Sequence, residues 1–331
     1  MEQQANPERA GTEAEWQHTA VAYLAAFAGM LALFFVMVVM IDPYDSGRFP
    51  TFMPSGSPDD RAPTMNIGRG RDPRFNAILL GSSRGVLADP RRISALTGYR
   101  FAEMAALGAT PREQMIFLHW FARHRPKIDA IVIATDQVWC TLDPALPSMN
   151  DFPYGLYADS DLAYLKATLS VPTLTFAKER LLYALGLMPG VDIEGYYDSE
   201  AKLGWPGVET PRMPLRQVSG PDPPKVELPA LGLLGSYLQD LPGRPPILLW
   251  MPPYFHDVLP AADTRAGRAL AACKAALRDW AQRRGRAGFL DFATDAPENA
   301  APGNFLNPTH VSNRYMRLIE PQLADALDRL K

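Results

Sequence analysis

The chain carries only two cysteines and five histidines, and it has no large excess of either charge. Two cysteines, Cys140 and Cys273, are too few to staple a small scaffold together. Buried thiols and a single bridge both stay open for them. No cluster of cysteine and histidine has the spacing of a zinc site, so no metal centre is expected. Lysine and arginine number 33 against 36 aspartates and glutamates, a net charge of −3, and no basic stripe is interleaved with aromatics. That argues against a nucleic-acid partner. There is no internal repeat.

One stretch lacks charge altogether. Residues 20–41 are dominated by Ala, Leu, Phe, Val and Met, a run of about 22 against the ~20 needed to cross a bilayer as a helix. A core helix rarely goes so long without a polar face. A cleavable signal peptide has a basic start, a shorter apolar region and a small-residue cleavage site. Here Glu2, Glu8, Glu13 and Glu15 precede the run against Arg9, and Ile41-Asp42-Pro43-Tyr44 follows it without an Ala-x-Ala pattern. The expectation is an N-terminal tail over 1–19 and an uncleaved anchor over 20–41. Flanking charges nearly tie, with Arg9 and the amino terminus on one side and Arg48 and Arg61 on the other, so they do not orient it.

Residues 42–75 are rich in Pro, Gly, Asp and Arg without a sustained period and read as an extended linker. From 76 to 331 the pattern alternates. Strands are predicted near 75–80, 99–102, 128–134, 246–251 and 288–291. Helices are predicted after Asp89-Pro90, from the Thr110-Pro111-Arg112-Glu113 capping box, over 264–284, and over 312–330. Alternation of this kind predicts an α/β domain with a parallel sheet covered on both faces. Gly81, Thr135, Pro252 and Asp291 would then share one rim at the carboxyl ends of the strands, where such folds bind ligands. Residues 141–245 interrupt the rhythm as an insertion with runs such as Phe152-Pro153-Tyr154-Gly155-Leu156-Tyr157 and Gly204-Trp205-Pro206, and a helical stretch near 161–187. Beside the rim it would form a lid or docking surface.

Two distant segments carry chemistry. Leu80-Gly81-Ser82-Ser83-Arg84 ends the first strand in a small-residue turn, and Asn307-Pro308-Thr309-His310 precedes the last helix. Brought together by a parallel sheet, Ser83 and His310 form a nucleophile–base pair suited to acyl transfer. His18, His119 and His124 flank apolar helices and read as structural. His256, in the loop after the fourth strand, is a candidate pocket residue.

These motifs, with Asp42-Pro43-Tyr44 after the apolar run, resemble the SGNH (GDSL-type) hydrolase superfamily. The resemblance is to its membrane-anchored branch, which works beside membrane-bound O-acyltransferases in alginate and teichoic-acid acylation. It covers about residues 42–137 and 245–331. It implies a flavodoxin-like three-layer α/β/α doubly wound sheet, Ser83 as nucleophile, and an oxyanion hole from Ser83, Gly108 and Thr135. His310 would be the base, oriented by Asn307, with Ser82, Arg84, Asp136 and His256 near the pocket. Three blocks depart from the family pattern. Ser82 replaces the usual aspartate, Ala134-Thr135-Asp136-Gln137 replaces a Gly…Asn-Asp block, and Asn307 stands where an aspartate normally precedes the histidine. Asp291 and Asp295 are other candidates for the missing carboxylate.

The implied activity is an esterase or O-acyltransferase acting on a cell-envelope glycan. It would need no cofactor, would be anchored in the inner membrane with its body in the periplasm, and would work with a membrane-bound O-acyltransferase. A second expectation, favoured by Asn307 and the altered third block, is a non-catalytic scaffold of the same fold.

Overall fold

The computed structural model describes residues 7–56, 62–149, 151–190, 193–196, 198, 200–201 and 227–331. The Gly204-Trp205-Pro206 run, Glu2 and Arg61 lie outside the described residues.

Five short strands form one wholly parallel sheet: β1 (Ala77–Gly81), β2 (Phe101–Ala105), β3 (Ala130–Ala134), β4 (Ile247–Met251) and β5 (Ala287–Asp291), in the order β2-β1-β3-β4-β5. Strands β1 to β4 are buried along their whole length, which is why they are apolar runs such as Ile-Leu-Leu-Trp-Met, with the buried Glu103 of β2 as the exception. Edge strand β5 is only half-buried. The other edge, β2, is covered where Glu103 N donates to Glu194 O at 2.8 Å.

The crossovers set the layers. From β1 the chain passes through α3 (Pro90–Thr97) to β2 on one side, and from β2 through α4 (Pro111–Arg123) back past β1 to β3. Right-handed crossovers running in opposite directions put their helices on opposite faces. Helix α3 packs with the last helix, Asn313–Asp328, while α4 packs with Pro229–Gln239 in the β3–β4 connection. Direction reverses between β1 and β3, so the switch-point crevice opens at the carboxyl ends of those two strands.

Three expectations change. The apolar segment lies in a longer helix, α1 (Pro7–Ile41), so the described part of the tail, from Pro7 on, is helical. Of it, Glu15–Ile41 is long and apolar enough to span a bilayer. Residues 42–75 are not simply extended: they contain α2 (Ala62–Arg71), packed on β2 and α4. Its sequence, Ala-Pro-Thr-Met-Asn-Ile-Gly-Arg-Gly-Arg, shows no helical period because its tightest contacts are glycines. A Cβ on Gly70 would meet Trp120 Cδ1 at 2.3 Å, and one on Gly68 would meet Asp45 Oδ2 at 2.8 Å.

The third concerns 141–245, whose described residues fall in more than one place. Its end, α8 (Pro229–Gln239), is the β3–β4 crossover helix. Its middle, α5 (Tyr154–Tyr157), α6 (Asp161–Thr168) and α7 (Val171–Ala184), gathers around α2 and the end of α1. There Arg180 Nε donates to Ile41 O at 3.0 Å, its Nη2 pairs with Asp45 at 3.0 Å, and the Tyr44 and Thr173 hydroxyls are hydrogen-bonded at 2.9 Å. Asp42 holds the turn that leaves α1, accepting from Ser46 N, Ser46 Oγ and Gly47 N at 2.9, 2.7 and 2.7 Å.

Helix α9 (Arg265–Arg284) crosses from β4 to β5, capped by Thr264 accepting from Gly267 N. Its Cys273 is bonded to Cys140, which follows β3, at a sequence separation of 133. The pairing left open by the sequence is therefore a single bridge tying the β3 loop to α9. After β5, the hairpin β6 (Phe305–Asn307) and β7 (His310–Val311) leads into α10 (Asn313–Asp328).

Candidate active site

The turn after β1 is forced by its glycines. Gly85 N donates to Ser82 O at 2.9 Å, closing a tight turn with Ser83 and Arg84 at its centre. The turn folds back so closely that a Cβ on Gly81 would lie 2.7 Å from Gly85 Cα. Ser82 is buried and its hydroxyl donates to Asp136 Oδ2 at 2.7 Å, while Asp136 Oδ1 accepts from Val138 N at 3.0 Å. Asp136 thus ties the β1 turn to the β3 turn across the switch point. Ser83 is left half-exposed on the rim.

The histidine arrives from the hairpin. Asn307 and His310 are paired across the two-residue turn Pro308-Thr309, which sets their side chains together. Pro308 O accepts from Phe255 N at 2.9 Å, so the loop after β4 fixes the hairpin in place. His310 Nε2 is 2.8 Å from Ser83 Oγ, and its Nδ1 is 2.9 Å from Asn307 Oδ1.

The proton positions follow from chemistry. Thr309 N–H donates to Asn307 Oδ1 at 3.0 Å, and Thr309 Oγ1 lies 3.1 Å from the same oxygen. A backbone N–H only donates, so the atom facing it is the amide oxygen. That oxygen also faces His310 Nδ1, which must carry the hydrogen. Nε2 is left as the acceptor for the Ser83 hydroxyl. This is the tautomer a general base needs.

Burial, and secondarily the charge of Arg84, pushes the His310 imidazole down to about 4. The ring is therefore neutral through the physiological range. Arg84 stacks on Tyr254, its guanidinium carbon 4.3 Å from the ring centroid, and its Nη1 donates to the Tyr254 hydroxyl. Burial raises the Tyr254 phenol well above its usual range, so it stays protonated.

Other sequence-derived candidates sit as follows. Thr135 is fully buried, and both its backbone N–H and its hydroxyl donate to Trp250 O, at 2.7 and 3.0 Å. Its one hydroxyl hydrogen is therefore turned toward β4. Gly108 lies in an exposed turn after β2 with φ +76°, closed by Ala109 N donating to Ala106 O at 3.0 Å. Ala106 N reaches Gly81 O at 3.3 Å, so this turn borders the Ser83 turn. His256 points outward and pairs with Asp295 at 2.6 Å. Asp291 pairs with Lys274 at 3.1 Å. Neither aspartate replaces Asn307. His119 pairs with Asp159, and His124 Nδ1 lies 2.7 Å from Trp120 O, as structural histidines do.

Sequence reasoning missed Tyr254, although it stands in the strand-end run Pro252-Pro253-Tyr254-Phe255. It also missed the link from the insertion to the start of α10, just after the His310 hairpin: Glu200 Oε1 accepts from Asn313 N at 2.6 Å and Asp198 Oδ1 accepts from Asn313 Nδ2 at 2.9 Å. A cavity of about 620 Å³ lies elsewhere, lined by Tyr44, Asp45, Arg71 and Tyr183 near the end of α1. No protein-family model matches this chain, and no curated protein matches it.

Proposed function

We propose that the protein is a membrane-anchored esterase or O-acyltransferase of the SGNH type that acts outside the cytoplasm on a cell-envelope glycan. One observation carries the reading: the continuous Ser83–His310–Asn307 relay, with contacts of 2.8 and 2.9 Å. Ser83 Oγ attacks an ester carbonyl as its proton passes to His310 Nε2. The tetrahedral oxyanion takes donors from the Ser83 and Gly108 backbone N–H groups. As it collapses, the C–O bond to the alcohol breaks and the leaving oxygen takes the proton from His310. Water, or a sugar hydroxyl in the transferase direction, then gives its proton to Nε2 and attacks the acyl-Ser83 carbonyl; as this second intermediate collapses, the bond from the acyl carbon to Ser83 Oγ breaks and Oγ takes the proton back from His310.

Asn307 fixes the tautomer but supplies no charge to the imidazolium. The arrangement is analogous to the Cys-His-Asn triads of papain-like proteases. The Cys140–Cys273 bridge supports an oxidising compartment, since disulfides persist outside the cytoplasm and are rare within it. With α1 as a single span, the body would face the periplasm, within reach of a membrane-bound O-acyltransferase.

The scaffold reading keeps one favourable observation: the Thr135 hydroxyl is engaged by Trp250 O, which leaves fewer side-chain donors for an oxyanion. Labelling separates the two. A serine-directed fluorophosphonate should modify Ser83, and Ser83→Ala should abolish modification without lowering the melting temperature. A folded wild-type protein that resists small phosphonates of several shapes would establish the scaffold instead.

A further inference from the structure

Helix α7 is inside-out. Its buried face holds Thr173, Phe176, Ala177 and the fully buried Arg180, while Val171 (79 % exposed), Leu174 (48 %), Leu181 (40 %) and Leu185 just past its end (62 %) face outward. Spacings of three, seven and four residues put these four on one helical stripe. In water the opposite arrangement is favoured, with leucines inside and guanidinium outside. Among the segments gathered at the end of α1, Leu162 on α6 and Phe52 in the loop after α1 are also exposed, at 76 % and 70 %. An apolar patch of this extent marks a surface that meets something apolar.

The position of α7 says what that is. It packs alongside the last turns of α1, with the Tyr44 and Phe176 rings 5.0 Å apart and Arg180 bonded to Ile41 O. Val38 of α1 is buried, and Phe34 and Met37 pack on the core. A hydrocarbon layer of ~30 Å takes up about 20 helical residues at 1.5 Å each. Counted from Ala20, where the apolar run starts, it ends near Val39, within the turn that α7 flanks. The Arg180 turn of α7, which also carries Leu181, is bonded to Ile41 O and so sits at the depth where α1 leaves the acyl chains.

We propose that α7 and its flanking loops form an interfacial collar, laying the stripe Val171–Leu174–Leu181–Leu185 into the outer edge of the same bilayer that α1 crosses. The collar rests on the reading of α1 as a membrane span. Lys178, exposed between Leu174 and Leu181, has a stem long enough to reach the headgroups. Arg180 locks the collar to the anchor from within, through Ile41 O, Asp45 and Pro54 O. The body is thereby held at a fixed tilt rather than swinging on a tether, and the apolar area adds to the hold of the single span.

The test uses the full-length protein in phosphatidylcholine vesicles, with an environment-sensitive fluorophore on single added cysteines and no reductant. Leu174→Cys and Leu185→Cys report the collar, Ala32→Cys reports the anchor, and Asp279→Cys on α9 reports the exposed body. Lipids carrying a nitroxide high on the acyl chain should quench the labels at 174 and 185 and shift them to the blue, and leave 279 unchanged. Leu174→Glu with Leu181→Glu should abolish quenching at 185, with the melting temperature and quenching at 32 retained. Quenching at 32 without quenching at 174 and 185 overturns the collar alone. No quenching at 32 overturns the anchor and the collar together. Labels at 174 and 185 that are shielded in detergent in a concentration-dependent way assign the stripe to a second copy of the chain, and the proposal fails.

Discussion

Replacing Asn307 by aspartate tests the relay most directly, because it adds one charge and almost no volume. In the wild type His310 titrates at about 4, lowered by burial and by Arg84. The new carboxylate oxygen would occupy the Oδ1 position, 2.9 Å from Nδ1, still receiving the Thr309 N–H. At an effective dielectric of about 20, unit charges 4 Å apart interact by about 4 kcal/mol, equivalent to roughly three pKa units. Desolvating the new carboxylate takes back part of that, so His310 should rise by roughly two units, to about 6.

Imidazole NMR on the inactive Ser83→Ala background reads the shift without depending on turnover. In the active protein the acid limb of kcat/KM should move up by the same amount. Its plateau should rise, since a carboxylate stabilises the imidazolium formed as Ser83 attacks. Stability should follow. In the wild type the unfolded chain binds a proton between pH 6.5 and about 4 that the folded chain refuses, so stability falls as pH drops through that window. The loss is up to about 3 kcal/mol from this one group. The aspartate variant should lose much less over the same interval. An imidazole that stays near 4 in the variant would refute the relay geometry. A normal shift with no esterase activity in either protein would refute the catalytic reading alone.

Arg84→Met keeps the stem packed on Tyr254 and removes the charge, so the His310 imidazole should titrate higher than in the wild type by NMR; an unchanged value would remove Arg84 as a cause of its depression. Cys140→Ser with Cys273→Ser opens a loop of 133 residues in sequence separation. Loop entropy sets the loss at about 5 kcal/mol, or ~10 °C in melting temperature for a body of this size; a drop under a degree or two would mean the bridge does not form. Arg180→Met leaves the buried Asp45 with Arg71 as its ion-pair partner and Gly56 N as a donor. Breaking such a pair costs about 3–5 kcal/mol, at the lower end here because Arg71 remains, and the denaturation midpoint in detergent should fall with an unchanged m-value.

Much of this molecule is legible without coordinates because its causes are local. An uncharged apolar run must avoid water, so residues 20–41 announce a helix fit for a bilayer. Ala130–Ala134 and Ile247–Met251 are apolar throughout because parallel strands are buried on both faces. Asp89-Pro90 and Thr110-Pro111 mark helix starts because an N-cap needs an acceptor and the first turn tolerates proline. The glycines around Ser83 and the short Asn307–His310 spacing are local too, so both halves of the candidate site could be picked out separately.

Their meeting could not. Ser83 and His310 are 227 residues apart, and the 2.8 Å between them depends on the strand order, the crossover directions and the Pro308–Phe255 tie. The same holds for the Cys140–Cys273 pairing and for the Thr135 hydroxyl, whose direction is set by a carbonyl on β4. Helix α2 has no apolar period because glycines make its close contacts, and α7 shows leucines to the outside because an arginine is bonded within. Sequence patterns record what each segment needs from its solvent. Which distant group or which solvent meets it is decided by the packing of the whole chain.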